Sequence, residues 1–146
     1  PKKIIIVSSA PQIRYPDCYG IDMAKLGDLI AFRAAISLLK KSKAGEKRIN
    51  KVYKSCLEAG RLPKEKQKNE VRGIYGSFTA EEISNEISRL LKPPKLKSKL
   101  EIIYQNIEDL HLSCPMHTGD WYFTGKYPTH GGNAFVNRAF GQPVLF

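Results

Sequence analysis

The chain has 146 residues, of which 24 are Lys or Arg and 14 are Asp or Glu, giving a net charge of +10. Its hydrophobic content of 42% is typical of a folded domain and excludes a disordered chain, and no apolar run approaches the roughly 20 residues of a membrane-spanning helix. Three widely spaced cysteines do not make a disulfide framework. We therefore expect one folded domain, with room for part of a second, in a reducing cytoplasm.

The first predicted element is a strand from Ile4 to Ser8. Its β-branched residues do not alternate with polar ones, which predicts burial on both faces, as in a parallel sheet. A long connection follows from Pro11 to Met23, with Arg14, Asp17 and Asp22 as its charged residues. Ligands of open α/β sheets bind at the carboxyl ends of strands, so this connection is the first candidate for a functional site.

Helical periodicity predicts the next elements. A largely apolar helix, buried on more than one side, is expected from about Lys25 to Lys41. A second helix, with one apolar stripe and a basic face, is expected from about Glu46 to Ala59. Residues 70–75 are left open as a short helical piece, because two glycines weaken the pattern. A capping box at Thr79 and Glu82 then opens a helix that ends before a Pro-Pro pair.

The last third of the chain predicts one more strand and two short helices. Leu100 to Tyr104 is the strand, and the helices are expected near residues 105–114 and 133–140. The fold class is therefore α/β with helix predominating, with two short strands and four or five helices. A sheet this small leaves edges and apolar faces without neighbours, so we expect the isolated chain to associate or to behave poorly in solution.

The positive charge is concentrated between Lys40 and Arg72. Two explanations stay open. One is a solvated helix face, which we favour because blocks of like charge are usually exposed; the other is attraction of anionic substrates. Nucleic acid is not expected as a partner, because aromatic residues do not interleave with the basic ones as base stacking requires.

Three residues near the second short helix are of metal-ligating types: His111, Cys114 and His117. Three such ligands without a fourth rarely form a structural zinc site, so no metal is expected there. Cys114 is expected to be a small buried hydrophobic residue instead.

Gly131, Gly132 and Asn133 precede the predicted last helix. Backbone amides at the amino end of a helix can bind an anion. An ordinary glycine turn with Asn133 as the helix cap is the alternative that we favour. Neither a G-x-S-x-G motif nor a supported Ser/His/Asp set is found, so no catalytic residue is expected in this chain.

Four pieces of the first thirty-one residues carry a resemblance. They are Ser9-Ala10-Pro11, Arg14-Tyr15-Pro16, YGIDM at residues 19–23 and DLIA at residues 28–31. Together they closely resemble the segment of glutamine amidophosphoribosyltransferases that follows the loop for phosphoribosyl pyrophosphate. Residues 105–110 and the tail DWYFTGKYPTHGGN at 120–133 are similar to the same family, the tail to one branch of it.

The resemblance implies the carboxy-terminal part of an enzyme that transfers glutamine-derived ammonia to phosphoribosyl pyrophosphate in the first step of purine synthesis. The glutaminase domain, the phosphate-binding loop and the Mg²⁺ contacts are expected upstream of Pro1. The implied fold is a partial phosphoribosyltransferase-type parallel sheet with a helical extension. Residues 1–44 would belong to the transferase core, residues 45–99 to the basic helical extension, and residues 100–146 to a late strand and helix followed by the tail.

The resemblance also implies roles for individual residues of the connection and of the helix after it. Arg14 would meet a phosphate or carboxylate, and Tyr19 and Asp22 would line the mouth of the active site; local pairing of Arg14 and Asp22 is the alternative. Leu29 matches a family position along an apolar passage for ammonia, where an apolar lining excludes water. Some members hold an iron–sulfur cluster through a Cys just after Arg-x-Pro. Asp17 stands there in this chain, so no cluster is expected.

Phosphoribosyl pyrophosphate and glutamine are the expected partners of the intact protein, which is expected to be a homo-oligomer without a membrane partner. The fragment alone is expected to be inactive. Two other functions stay open for the chain. One is a basic module that binds nucleic acid or another polyanion through residues 40–72, and the other is a non-catalytic interaction subunit that keeps part of a transferase fold.

Overall fold

The computed structural model describes residues 1–20, 23–116 and 119–141. In chain order the elements are strand β1 (Lys3–Val7), a 3₁₀ turn (Leu26–Asp28), α1 (Ile30–Lys41), α2 (Gly45–Ala59), a second 3₁₀ turn (Lys64–Lys66), α3 (Arg72–Tyr75), α4 (Ala80–Leu91), strand β2 (Lys99–Ile103), α5 (Ile107–Ser113), α6 (Trp121–Thr124) and α7 (His130–Gly141). Among these residues, no helix is both long enough and apolar enough to cross a membrane.

The two strands pair in parallel, which confirms an α/β fold in which helix predominates. Ile4 lies opposite Leu100 and Ile6 opposite Ile102. Each strand begins and ends one residue earlier than predicted. Parallel strands that are neighbours in a sheet need a long crossover connection. Here the connection from β1 to β2 contains helices α1 to α4.

The prediction that β1 is buried on both faces is wrong. Ile5 is 50% exposed, Ile6 49% and Val7 71%. Successive side chains of a strand point to opposite faces, so exposure of neighbouring residues means that both faces of β1 are open. The cause is that α4 packs on β2, while β1 is packed mainly against β2.

The helices differ from the prediction at their starts and in their number. The first begins at Ile30, because the segment around Gly27 forms a 3₁₀ turn instead of a helical turn. The last begins at His130, three residues early. The described residues contain seven α-helices, not four or five; the open piece is α3, and α6 was not predicted.

The core is built around α1, which packs against α2, α3 and α4. Ala34 and Ala35 are fully buried, and such small side chains allow neighbouring helices to approach closely. The ring of Phe32 meets that of Phe140 edge to face at 5.9 Å. Burial of α1 on more than one side is thereby confirmed. Among the described residues, one apolar cluster runs from Tyr15 to Phe140.

The predicted capping box at the start of α4 is present. Thr79 Oγ1 accepts from the backbone N–H of Glu82 at 3.1 Å, and a carboxylate oxygen of Glu82 accepts from the backbone N–H of Thr79 at 2.7 Å. Two otherwise free backbone donors are thereby satisfied.

We expect Thr79→Ala to lower the free energy of unfolding by about 1 kcal/mol, because it removes one of these caps. Thr79→Ser keeps a hydroxyl at the same position and is expected to retain most of the stability. Urea unfolding of both variants measures the difference. Equal losses in the two variants would show that the hydroxyl does not stabilise α4.

Candidate functional site

The connection after β1 leaves the carboxyl edge of the strand pair, where it was predicted to lie. The backbone N–H of Ser8 donates to the carbonyl of Ile103 at 2.8 Å and extends the ladder by one residue. Ser8 Oγ then donates to the carbonyl of Ala10 at 2.9 Å. This local turn directs the chain away from the sheet.

Arg14 is held by its neighbour Gln12. Gln12 Nε2 donates to the carbonyl of Ala80 and to Ser84 Oγ, both at 2.7 Å. Its Oε1 accepts from Arg14 Nε at 3.1 Å and from a terminal nitrogen of Arg14 at 2.8 Å. The guanidinium also lies over the ring of Tyr75, 5.5 Å from its centre. The amide of Gln12 therefore fixes the guanidinium against α4.

Three tyrosines bind the backbone of the connection. Tyr75 donates its hydroxyl to the carbonyl of Arg14 at 2.5 Å, and Tyr127 donates to the carbonyl of Pro16 at 2.7 Å. The carbonyl of Tyr122 accepts from the backbone N–H of Arg14 at 2.8 Å and from that of Tyr15 at 3.1 Å. The connection is thus held between α3 and the tail.

Burial raises the pKa of the phenols in this cluster. The pKa of Tyr15 is raised to about 12, and those of Tyr75 and Tyr127 are raised as well. A phenol with a raised pKa stays protonated at neutral pH and acts as a hydrogen-bond donor. The tyrosines therefore hold the connection in place and do not supply a base.

Tyr19 is an exposed residue of the connection. Its side chain is 61% exposed, and its ring meets that of Trp121 at 6.2 Å, edge to face. Its backbone N–H donates to Asp17 Oδ1 at 3.2 Å, and the hydroxyl of Tyr122 donates to the same oxygen at 3.2 Å. Asp22, the other residue predicted at the mouth, lies outside the described residues.

Leu29 is 5% exposed and belongs to the apolar cluster at the start of α1. Arg14 lines a crevice, Tyr19 is exposed and Leu29 is buried, so these predicted site residues occupy three different environments. Their roles at a substrate or along a passage stay predictions.

The crevice beside Arg14 has a volume of about 440 Å³ and follows the carboxyl end of β2. Its lining includes Arg14 and three glutamates, Glu81, Glu101 and Glu108. Glu101 is paired with Lys3 at 2.6 Å, and this contact lowers the pKa of its carboxyl. With one cation among three anions, the crevice suits a polar or cationic group better than a free phosphate.

The predicted anion site lies inside α7 and not before it. The backbone N–H of Gly132 is already bonded to Thr129 Oγ1 at 3.2 Å, while Gly131 is exposed. Asn133 is not the helix cap, because the helix begins at His130; its Nδ2 donates to the carbonyl of Gln67 at 3.2 Å.

Two of the three residues of metal-ligating types, His111 and Cys114, lie in the described part of the chain. His111 Nε2 lies 2.8 Å from Asp120 Oδ2. Cys114 is exposed, so the prediction that it is buried is wrong: α5 ends at Ser113, and the cysteine follows on the surface. His117 lies outside the described residues. Within the described part of the chain, no three His, Cys, Asp or Glu side chains are placed to hold a metal ion.

The other two cysteines are poor nucleophiles. Burial raises the pKa of the Cys18 thiol, and it raises that of Cys56 to about 12. A thiol reacts as its thiolate, which neither residue forms readily at neutral pH.

The residues that hold Arg14 and the backbone around it were not predicted from the sequence. Gln12 lies within the connection, only two residues from Arg14. Tyr75 and Tyr127 come from distant parts of the chain, and no local pattern links them to the connection. The sequence offered one indication of these contacts. The tail is dense in aromatic residues, which are expected to pack against an apolar surface elsewhere in the fold.

An amidophosphoribosyltransferase of Haemophilus influenzae is 34% identical to this chain over 88 residues. The match covers 60% of this chain and 17% of that protein, so the chain spans a small part of its relative's length. No protein-family profile and no solved structure matches the chain. The chain is thus similar to a transferase over more than half of its own length.

Proposed function

We propose that the chain is the carboxy-terminal portion of a glutamine-dependent amidophosphoribosyltransferase, which forms phosphoribosylamine in purine synthesis. The observation that carries this proposal is the similarity over 88 residues to a protein of that name. The position of the connection supports it, because the connection leaves the carboxyl edge of a parallel strand pair, where α/β enzymes bind ligands.

In the intact enzyme, ammonia released from glutamine attacks the anomeric carbon of phosphoribosyl pyrophosphate and pyrophosphate leaves. Mg²⁺, when bound to the intact enzyme, would supply positive charge that stabilises the leaving group. Its ligands belong to segments other than this one, so none of the residues of this chain is assigned to the metal. The catalytic Cys and the phosphate-binding loop are likewise assigned elsewhere.

This chain contributes the border of the transferase site. Tyr19 and Asp22 line its mouth, and Arg14, fixed by Gln12, presents a guanidinium at the carboxyl edge. Leu29 lines the apolar passage, where exclusion of water keeps ammonia neutral. The open faces of β1 fit this proposal, because neighbouring strands and helices of a complete transferase domain would cover Ile5, Ile6 and Val7.

We expect the purified 146-residue chain to release no pyrophosphate from phosphoribosyl pyrophosphate in the presence of ammonia and Mg²⁺. The polypeptide encoded by the complete parent gene, assayed in the same buffer, is expected to release it. Rapid release by the short chain would refute the assignment of the catalytic groups. No release by the complete polypeptide, with either ammonia or glutamine, would refute the proposed function itself.

A further inference from the structure

A second cavity shares no lining residue with the crevice beside Arg14. Its volume is about 880 Å³, within the range of small-molecule sites. Three segments that are distant in sequence form its walls, namely one face of α2, residues 68–73 and residues 125–127, and Asn133 of α7 completes the lining.

The lining of this cavity, which we term the basic cavity, is strongly cationic. Against the single carboxylate of Glu70 stand six cationic side chains, those of Lys47, Arg48, Lys51, Lys68, Arg72 and Lys126. In the described ranges, none of the six lies within salt-bridge distance of a carboxylate. Lys41 contrasts with them, because it is paired with Glu86 at 2.8 Å. The basic cavity therefore carries charge that the chain does not neutralise.

Close packing brings the three walls together. A Cβ atom at Gly73 would lie 2.8 Å from Val52 Cγ2, so glycine allows α3 to approach α2. Arg48 Nε donates to the carbonyl of Gly73 at 3.0 Å, which fixes this guanidinium on the shared wall. On the other side, Asn69 Nδ2 donates to the carbonyl of Gly125 at 2.9 Å and ties the tail to the wall beside Lys126. If the basic residues of α2 formed only a solvent-exposed helix face, contacts that hold two other cationic segments beside it would not be needed.

We propose that the basic cavity binds a small molecule that carries at least two phosphate groups. Cations held near one another repel, and a ligand with several negative charges removes that repulsion while accepting charge-assisted hydrogen bonds. The volume exceeds what one phosphate fills. Among the described residues, Tyr127 is the one aromatic residue of the lining and is itself buried, so these residues offer no stacking surface of the kind that single-stranded nucleic acid uses.

Titration calorimetry of the 146-residue chain with tripolyphosphate at low salt tests this proposal. We expect saturable binding at one site, and binding of orthophosphate weaker by about tenfold or more, because one phosphate reaches fewer cations. Lys47→Gln combined with Lys51→Gln is expected to weaken tripolyphosphate binding by about tenfold or more. Lys126→Gln alone, from the opposite wall, is expected to weaken it by about threefold.

The matched control is Lys95→Gln combined with Lys97→Gln. It removes the same charge from exposed positions outside the basic cavity, and we expect binding within about twofold of the unchanged chain. An equal loss in both double variants, or no binding to the unchanged chain, would overturn the proposal. So would a 20-nucleotide single-stranded RNA that binds more tightly than tripolyphosphate and is weakened by the same Lys47 and Lys51 changes. None of these outcomes bears on the connection, so the proposed transferase function is tested separately.

Discussion

Glu86→Ala is expected to lower the free energy of unfolding by about 3 kcal/mol, because it removes the buried anion that joins α1 to α4. Glu86 is 4% exposed. Its carboxylate accepts from Ser37 Oγ at 2.6 Å, from Lys41 Nζ at 2.8 Å and from Arg89 at 2.8 and 3.0 Å. Urea unfolding at pH 7 measures the loss.

The same carboxylate gives a pH dependence with a definite sign. Hydrogen bonds from Arg89, and then from Lys41 and Ser37, lower the pKa of Glu86 from 4.5 to about 2. A carboxyl whose pKa falls on folding stabilises the folded state fully above its unfolded pKa, near 4.5, and loses that contribution as the pH falls toward 2. Since one pKa unit corresponds to about 1.4 kcal/mol, the contribution is about 3 kcal/mol.

We therefore expect the difference in stability between the unchanged chain and Glu86→Gln to shrink steadily from pH 5 to pH 2. Glu58→Gln is the control, because Glu58 is exposed on α2 and forms no salt bridge within the described residues. Its effect should stay small at every pH. A Glu86→Gln loss that is as large at pH 2 as at pH 7 would contradict the electrostatic explanation.

Helices and strands were predicted well where residues close together in the sequence determine them. The capping box at Thr79 and the apolar face of α4 placed that helix correctly, since both signals lie within a few residues. The two strands were placed to within one residue. The exposure of Ile5 and Val7 was not predictable in the same way, because a run of β-branched residues shows what a strand prefers to bury and not what covers it.

In the candidate site, too, the sequence predicted the parts that depend on residues close together in the chain. The connection and its Arg14 follow directly from the end of a strand, so a local pattern finds them. The amide of Gln12 lies only two residues from Arg14 and was missed within that local segment. The ring of Tyr75 and the hydroxyl of Tyr127 reach the connection only after the chain has folded. The basic cavity is also non-local: its cations were visible as a charge block, but the wall that carries Lys126 lies more than fifty residues beyond that block.

Gly125→Ala is expected to lower the free energy of unfolding by about 3 kcal/mol, from two additive causes. Gly125 ends α6 in the left-handed conformation, with φ of +70°, which costs an L-residue about 1–2 kcal/mol. A Cβ atom there would also lie 2.6 Å from Tyr15 Cζ and 2.7 Å from Asn69 Nδ2. Relief of that overlap must move the connection or the wall of the basic cavity, at about 1–3 kcal/mol.

Two other glycines separate these causes. Gly20 also has a positive φ, +78°, but a Cβ atom there would have no described atom within 4 Å, so Gly20→Ala should cost only the strain, about 1 kcal/mol. Gly131 lies in α7, where the nearest neighbour of an added Cβ would be 3.8 Å away, and Gly131→Ala should stabilise the chain by about 0.5 kcal/mol through helix propensity. If Gly125→Ala costs no more than Gly20→Ala in urea unfolding, the contact with Tyr15 and Asn69 is not tight. The tail would then hold the connection through the hydrogen bonds of Tyr122 and Tyr127 and not through tight packing at Gly125.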